Sequence, residues 1–321
     1  MRALASAPGK VILFGEHFVV EDQPAVAVAI SLRARVRAEL TGDSVIRVSS
    51  RNLKATGKYS IPPAEEKDPL YPVAYAAYLA MNKAGETRGV NIEVDSEIPP
   101  GAGMGSSAAV AVATVAATAG ALGLELSLDE VSKLALESEK IVHGKPSGID
   151  NTIATFGGAI AYRKSEGFVK LNVDFSDLVL VLADTGKPRN TGELVKRVLT
   201  LKAAFPSVFE PLYYAAGRLA VEAAKLMERG DWEAVGSLMN VNHGLLSAIG
   251  VSTLELENLV YSARRAGALG AKLTGAGGGG FIVALCKKGE ETTVVQELER
   301  ASPRVLVSGV SERGVIVEAK S

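Results

Sequence analysis

Three glycine-rich segments of this sequence let a ligand approach the backbone closely, because glycine has no side chain to hold it off. The first, APGKVILFGEH (7–17), joins a turn, an apolar strand pattern and a second turn, with Lys10, Glu16 and His17 at its ends. The second, EIPPGAGMGSSAA (97–109), runs from a strand pattern straight into an uncharged helix pattern. The third, KLTGAGGGGFIVAL (272–285), follows a helical pattern and runs into a strand pattern. In the second, Pro99, Pro100, Gly101, Ala102, Gly103, Met104 and Gly105 lead into Ser106, Ser107, Ala108 and Ala109. A loop of this kind opening a helix presents unpaired backbone N–H groups at the positive end of the dipole, which is chemistry for holding phosphate. A serine capping a core helix would explain Ser106 alone, not three glycines in five positions.

Better-known phosphate motifs do not fit. The sequence has no G-x-x-x-x-G-K-[ST] string. Gly275-Ala276-Gly277-Gly278-Gly279-Gly280 matches G-x-G-x-x-G, but a dinucleotide site needs a strand before it and a helix after it. The dehydrogenase reading fails on that reversed context. Such glycine density suits a backbone that abuts another loop or a bound substrate. Asp150 follows a Pro-Ser break and falls in the first turn of a short predicted helix, where a carboxylate is favoured as an anion.

The elements that must position these residues are legible in the hydrophobic pattern. Strands are predicted at 34–40 and 90–95, which alternate, and at 10–14 and 25–30, which are continuous apolar runs. A helix is predicted over 68–84. Residues 108–124 carry no charge and consist mostly of Ala, Val, Thr and Gly, too weakly apolar for a membrane span and suited to a helix buried on all sides. Ser127 and Glu130 form a capping box for a third helix, which Gly144 and Pro146 should stop. Strands at 157–162, 168–173 and 178–184 follow. Helices are then expected at 192–203, 207–229, 231–247 and 252–267, a strand at 281–285, a helix near 290–300, and strands near 304–308 and 314–318. The polar stretch 174–177 divides the two series, so the expected domains are 1–174 and 175–321.

Composition agrees with a folded α+β protein of two domains. The 321 residues are 47% hydrophobic, enough for two cores at roughly 150 residues each. A net charge of -1 argues against nucleic acid or an anionic membrane as partner. The single cysteine, Cys286, forms no intrachain disulfide, and with His17, His143 and His243 the only histidines a structural zinc site is improbable. A soluble, cytoplasmic protein is the expectation.

In their order, the three segments resemble the motifs of the GHMP small-molecule kinases, over nearly the whole chain from Pro8 to Gly280. PPGAGMGSSAA (99–109) is the most specific. Within that superfamily, APGKVILFGEHFVV (7–20), HGKPSGIDNTIATFGG (143–158) and PRNT (188–191) are similar to the mevalonate kinases. Galactokinases would be expected to carry Asp-Tyr soon after Gly-Glu-His, where Phe18, Val19 and Val20 stand. The resemblance implies a two-domain GHMP kinase fold, with a left-handed βαβ crossover in the N-terminal α+β domain and a ferredoxin-like C-terminal domain. It implies ATP as co-substrate, Mg²⁺, a homodimer, and mevalonate as the small-molecule acceptor, phosphorylated to 5-phosphomevalonate for isoprenoid synthesis. ATP and acceptor would meet in the cleft between the domains.

Carried over residue by residue, the resemblance implies Asp150 as catalytic base with Lys10 beside it. Ser107 and Glu139 would hold Mg²⁺, and Ser96 with 99–109 would bind the nucleotide. His17 and Thr191 would contact the acceptor, with Glu16 orienting it. His143 and His243 are read as structural. Other acceptors (phosphomevalonate, homoserine, galactose) are the alternatives, and after them a non-catalytic relative. That last reading expects one of Lys10, Ser107, Glu139 or Asp150 to be missing, and all four are present.

Overall fold

The computed structural model describes residues 1–321 except 66, 144–146, 189 and 321; at 142, 143, 319 and 320 only the backbone is described. Gly144 and Pro146, the side chain of His143, and Arg189 of the PRNT string therefore lie outside the described residues. The first elements are β1 (Arg2–Phe14), β2 (Ala25–Leu40), β3 (Ile46–Ser50), β4 (Ala55–Tyr59), α1 (Tyr71–Ala84) and β5 (Val90–Ser96). Then come α2 (Ser106–Leu122), α3 (Leu128–His143), α4 (Ile149–Phe156), β6 (Ala159–Arg163), β7 (Gly167–Leu171) and β8 (Leu178–Asp184). Four helices follow, α5 (Thr191–Ala204), α6 (Pro206–Arg229), α7 (Trp232–Ala248) and α8 (Leu254–Arg265). The chain ends with β9 (Gly270–Leu273), β10 (Phe281–Lys287), α9 (Glu291–Glu299), β11 (Arg304–Ser308) and β12 (Ile316–Lys320).

Two compact units form, and neither is a contiguous stretch such as 1–174 or 175–321. The first holds 1–10, 29–157 and 311–321; the second holds 11–28 and 158–310. The reason lies in three strands. β1 and β2 each run on from one unit into the other, and β12 returns to pair antiparallel with the start of β1. The runs 25–30 and 34–40, expected as two strands, are one. Ser31, Leu32 and Arg33 between them include no turn-forming Gly, Pro, Asn or Asp, so nothing breaks β2.

In the first unit the strand order is β12-β1-β2-β5-β3-β4, with β3 parallel to β5 and the other described pairs antiparallel. Helix α2 packs against α1, α3 and α4. Twelve of its seventeen residues are buried, all of them Ala, Val or Thr, so neighbours can close on it from every side. Thr114 Oγ1 donates to Val110 O at 2.7 Å, which satisfies one hydroxyl within that apolar surround. The capping box forms reciprocally. Ser127 N–H donates to Glu130 Oε2 at 2.9 Å, and Glu130 N–H donates to Ser127 Oγ at 3.3 Å. Among the described residues no helix is long and apolar enough to cross a membrane.

In the second unit residues 25–28 of β2 pair with β6, and β6 with β7. A separate antiparallel sheet has the order β11-β8-β10-β9. With helices between β8 and β9 and between β10 and β11, this is the β-α-β-β-α-β ferredoxin-like arrangement. Its core joins Val181, Ala183, Leu273, Ile282 and Ala284 of the sheet to Leu256, Leu259, Val260 and Leu298 of the covering helices.

The short edge strand β9 is sealed by side chains rather than by another strand. Ala271 N–H donates to Asn240 Oδ1 at 3.1 Å, Arg264 Nη2 donates to Ala271 O at 2.7 Å, and Leu273 N–H donates to His243 Nδ1 at 3.3 Å. His243 is buried, and its other nitrogen faces Glu257 Oε2 at 3.1 Å. It is structural, as expected. Burial lowers its pKa, with Glu257 pulling the other way.

Helix α7 approaches β9 backbone to backbone at Gly236, where a Cβ would stand 2.3 Å from Leu269 O. Gly244, on the same helix, is exposed and its Cβ would meet nothing within 4 Å. Gly236→Ala should therefore destabilise the protein by about 1–3 kcal/mol. Gly244→Ala should stabilise it by up to ~1 kcal/mol, by helix propensity alone. Urea unfolding midpoints of the two variants check this. Shifts of the same sign would contradict the packing described here.

Candidate active site

In the first unit, Lys10 organises the second glycine-rich loop. Its backbone N–H donates to Met104 O at 2.9 Å, and its ammonium donates to Gly103 O at 3.2 Å. The same ammonium lies 3.2 Å from Asp150 Oδ1, with the lysine side chain 6% exposed and the aspartate 38%. Lys10 is thus a mid-strand, buried residue of β1, not a surface lysine at a strand start. Gly101, Gly103 and Gly105 all have φ near +70°, a region that side chains disfavour, which explains the three glycines. A Cβ on Gly105 would also press within 3.1 Å of the Lys10 side chain.

Gly105, not Ser106, is the N-cap of α2, and no side chain caps this helix. The hydroxyl of Ser107 instead donates to Glu139 Oε1, on α3. Glu139 is buried. The expected metal-holding pair is therefore in contact, one hydroxyl and one carboxylate. Among the described residues no cluster of three or more His, Cys, Asp or Glu is arranged to hold a metal. A hard cation taking its remaining oxygens from phosphate and water suits such a sparse donor set.

Beside this pair lies a cavity of about 640 Å³, lined in part by Ser96, Pro100, Gly101, Ser106, Ser107 and Glu139. Ser96 closes β5, with its Oγ accepting from Ile98 N–H at 3.1 Å and its backbone paired with Asn52. Other expected nucleotide residues do not line that cavity. Met104, Ala108 and Ala109 have fully buried side chains, and Ala109 N–H is spent on Gly105 O at 2.9 Å. Pro99, Ala102, Gly103 and Gly105 are not among the cavity's lining residues.

Asp150 sits in the first turn of α4, which begins after Gly148 at φ +86°. Asn151 Nδ2 donates to Ser132 Oγ at 2.8 Å and so ties α4 to α3, the helix that carries Glu139. Asp150 is consequently fixed by three supports: its helix, that tether and Lys10. The Asp150 side chain is 38% exposed, so its carboxylate borders solvent.

In the second unit, Glu16 and His17 follow β1 on a tight turn. His17 is buried, and its Nε2–H donates to Ala276 O at 2.7 Å in the third glycine-rich loop. Burial lowers the His17 pKa; Ala276 O and Glu16 oppose this, and the Arg197 charge adds to the lowering. His17 is therefore neutral near pH 7, with Nδ1 left as an acceptor. Thr191 opens α5, exposed, directly after Asn190, whose Oδ1 accepts from Glu193 N–H at 3.2 Å. Both oxygens of Glu16 are engaged, one by Lys272 Nζ and the other by Asn242 Nδ2 at 3.0 Å.

The third loop corrects one expectation. It joins two strands, β9 and β10, and does not follow a helix directly. Its glycines pack tightly, as that density suggests. A Cβ on Gly277 would stand 2.2 Å from Val251 O, and one on Gly278 2.4 Å from Leu194. Thr274 Oγ1 accepts from Ile12 N–H at 3.2 Å and donates to Ile12 O at 3.0 Å, which ties the loop to β1.

Lys272, Asn242 and Arg197 escaped the sequence reading. For Lys272 a signal existed, since it stands two residues before Thr274 at the head of a glycine-rich segment. For the other two there was none: an asparagine and an arginine within amphipathic helices look like any solvated residue.

Comparison with known proteins agrees with this geometry. The model of the GHMP kinases N terminal domain matches residues 72–158, and that of the GHMP kinases C terminal region matches 223–304. A mevalonate kinase of Aeropyrum pernix is 40% identical over 322 residues, 98% of each chain. One of Pyrococcus horikoshii is 42% identical over 334 residues, 99% of this chain and 98% of the other. Among solved structures, the L. major mevalonate kinase in complex with R-mevalonate is 32% identical, with a TM-score of 0.84 over 95% of each chain. The Lactococcus lactis galactokinase complexed with galactose, at 22% identity and a TM-score of 0.77 over 98% of this chain and 95% of that one, shares the fold alone. Likeness of this degree along the full length, with both halves matched in order, shows the family: the chain belongs to the GHMP kinases, among the mevalonate kinases.

Proposed function

We propose that this protein transfers the γ-phosphoryl group of ATP to the 5-hydroxyl of mevalonate. The observation that carries the reading is the Lys10–Asp150 pair at 3.2 Å, built onto a glycine loop that opens a helix. Asp150 accepts the hydroxyl proton as the oxygen attacks phosphorus. The Lys10 ammonium, held beside it, offsets negative charge on the attacking oxygen and the transferring phosphoryl group. Backbone N–H groups of 101–107 hold the phosphates, and Ser96 borders the nucleotide.

Ser107 and Glu139 would hold Mg²⁺, which when bound neutralises charge on the nucleotide phosphates. The acceptor is held by His17 and Thr191. Neutral His17, with Nε2–H committed to Ala276 O, offers Nδ1 as acceptor for a hydroxyl. All reactants are water-soluble, which fits a cytoplasmic setting.

Asp150→Asn keeps size and one oxygen but loses the negative charge. Its turnover should fall roughly 100- to 10,000-fold, with nucleotide affinity near that of the wild type. Lys10→Met should also lower turnover severely. A coupled ADP-release assay over hydroxylated acceptors, paired with nucleotide titration, measures both. Turnover within a few-fold of wild type for Asp150→Asn would sink the base assignment. A better rate with homoserine or galactose would sink the acceptor assignment alone.

Ser107→Ala and Glu139→Gln should each raise the Mg²⁺ concentration required for half-maximal rate. Because Ser107 does not cap α2, circular dichroism should show the helix content unchanged. Wild-type metal dependence in both variants would leave the pair a purely structural contact.

His17→Asn and Thr191→Ala should raise the Michaelis constant for mevalonate while leaving that for ATP within a few-fold. One lost hydrogen bond to a polar ligand corresponds to about 1–3 kcal/mol, roughly 5- to 150-fold. Equal effects on both substrates would assign the two residues to the scaffold.

A further inference from the structure

The phosphoryl transfer described above leaves a buried pair of charges unused. Lys272, in β9, has no exposed side-chain surface, and its ammonium meets the carboxylate of Glu16, itself 1% exposed. Lys272 Nζ also donates to Leu273 O at 2.6 Å. The second oxygen of Glu16 accepts from Asn242 Nδ2, and the amide oxygen of Asn242 has no hydrogen-bond partner among the described residues. The amide is therefore turned by the negative charge, at the expense of its own oxygen. Lysine and amide are both donors here, so Glu16 serves them as a carboxylate acceptor at both oxygens. With each oxygen partnered inside the protein and its side chain 1% exposed, Glu16 presents almost no surface to a ligand.

This pair belongs to a row of contacts between two short segments. Ile12 pairs with Thr274 through both its N–H and its carbonyl, Glu16 with Lys272, and His17 with Ala276. The ionic member is the one adjacent to His17 in sequence. Stability alone does not call for it, because burial of both ions opposes their attraction, and a well-packed neutral pair holds two segments equally well. A charge pair does restrict which way the turn faces, since a rotated Glu16 would leave both it and Lys272 unpaired. Burial pulls the Lys272 pKa down while Glu16 pulls it back up.

We propose that Glu16 and Lys272 are positioning residues, which fix the turn so that the His17 imidazole is presented to the acceptor, and that neither touches the acceptor itself. This rests on the acceptor role proposed for His17.

The test compares Glu16→Gln, Lys272→Met and the double variant Glu16→Gln/Lys272→Met. Each single variant strands a buried partner and should lower the melting temperature. The double variant strands none and should recover most of that loss. If the pair positions His17, the double variant should still show a Michaelis constant for mevalonate at least about tenfold raised, with that for ATP within about threefold. Recovery of wild-type mevalonate binding together with stability would overturn the proposal. So would a large effect of Glu16→Gln with little effect of Lys272→Met, which would mean direct contact between Glu16 and the acceptor.

The ¹⁵N resonances of the His17 ring, recorded without substrates, give a second readout. They should move in all three variants, and unmoved resonances would defeat the positioning role. If the singles fail to fold, the double variant decides by both measurements. Should wild-type protein phosphorylate no mevalonate, or His17→Asn bind it normally, the functional reading fails, while the ring resonances still report whether the pair sets His17.

Discussion

The ammonium of Lys10 is the constraint around which the first unit is arranged. A lysine with almost no exposure must find acceptors or lose its charge. It finds two, the carbonyl of Gly103 and the carboxylate of Asp150. The carbonyl is available because the loop alternates left-handed glycines, which turn successive peptide planes in a way no other residue would adopt cheaply. The carboxylate is available because α4 begins just beyond Gly148 and points its first turn at the same nitrogen. Loop shape, helix start and strand register are thus three answers to one requirement. Nor is the lysine replaceable by the other common cation. Arginine's broad, planar fork would not fit a pocket where Gly105 already leaves only 3.1 Å between its missing Cβ and the Lys10 stem.

Lys10 and Lys272, both buried, show what exposure of the partner decides. Lys10 pairs with a carboxylate that is 38% exposed, so the pair borders solvent and its anion stays open to reactants. Lys272 pairs with one that is 1% exposed, and a second donor occupies its remaining oxygen. The same two chemical groups therefore make an open pair and a closed one. Charge type and contact alone would not separate them; solvent access at the carboxylate does. The closed pair is suited to holding geometry, because separating it would leave two ions stranded without water.

How much of this was legible in the sequence follows from the range of the forces involved. Local rules worked. The capping box of Ser127 and Glu130 formed as written, and the uncharged run after Gly105 became a helix buried on nearly every side. The loop glycines Gly101, Gly103 and Gly105 stood out in the sequence, and their positive φ values came only with the structure. Where structure depends on distant partners, the pattern fell silent. β3, β4 and β9 are four or five residues long, too short for a clear pattern; β9 holds its place through Asn240, Arg264 and His243. β2 was divided in two because a change from continuous to alternating pattern resembles a boundary, although no Gly, Pro, Asn or Asp is there. Asp150 and Glu139 read as ordinary helical acids on spacing alone, and the resemblance to the family singled them out. Glu16 was read as orienting the acceptor beside His17, and only the fold reveals that both its oxygens have partners inside the protein.

A further consequence concerns how such a protein changes its acceptor without losing its chemistry. On the proposed reading, phosphate holding in the first unit depends on backbone N–H groups, three glycines and one serine–glutamate contact. Backbone donors carry no side-chain identity, so this part asks only that the loop keep its turns. The acceptor set proposed for the second unit is different. It would depend on the imidazole of His17 and the hydroxyl of Thr191, which are side chains. Substitutions at these positions alter recognition while leaving Lys10, Asp150 and the loop untouched, since no side chain is shared between the two sets. A fold divided in this way can serve acceptors of unlike structure, because the costly part, a buried cation with its carbonyl and carboxylate, is indifferent to which hydroxyl arrives.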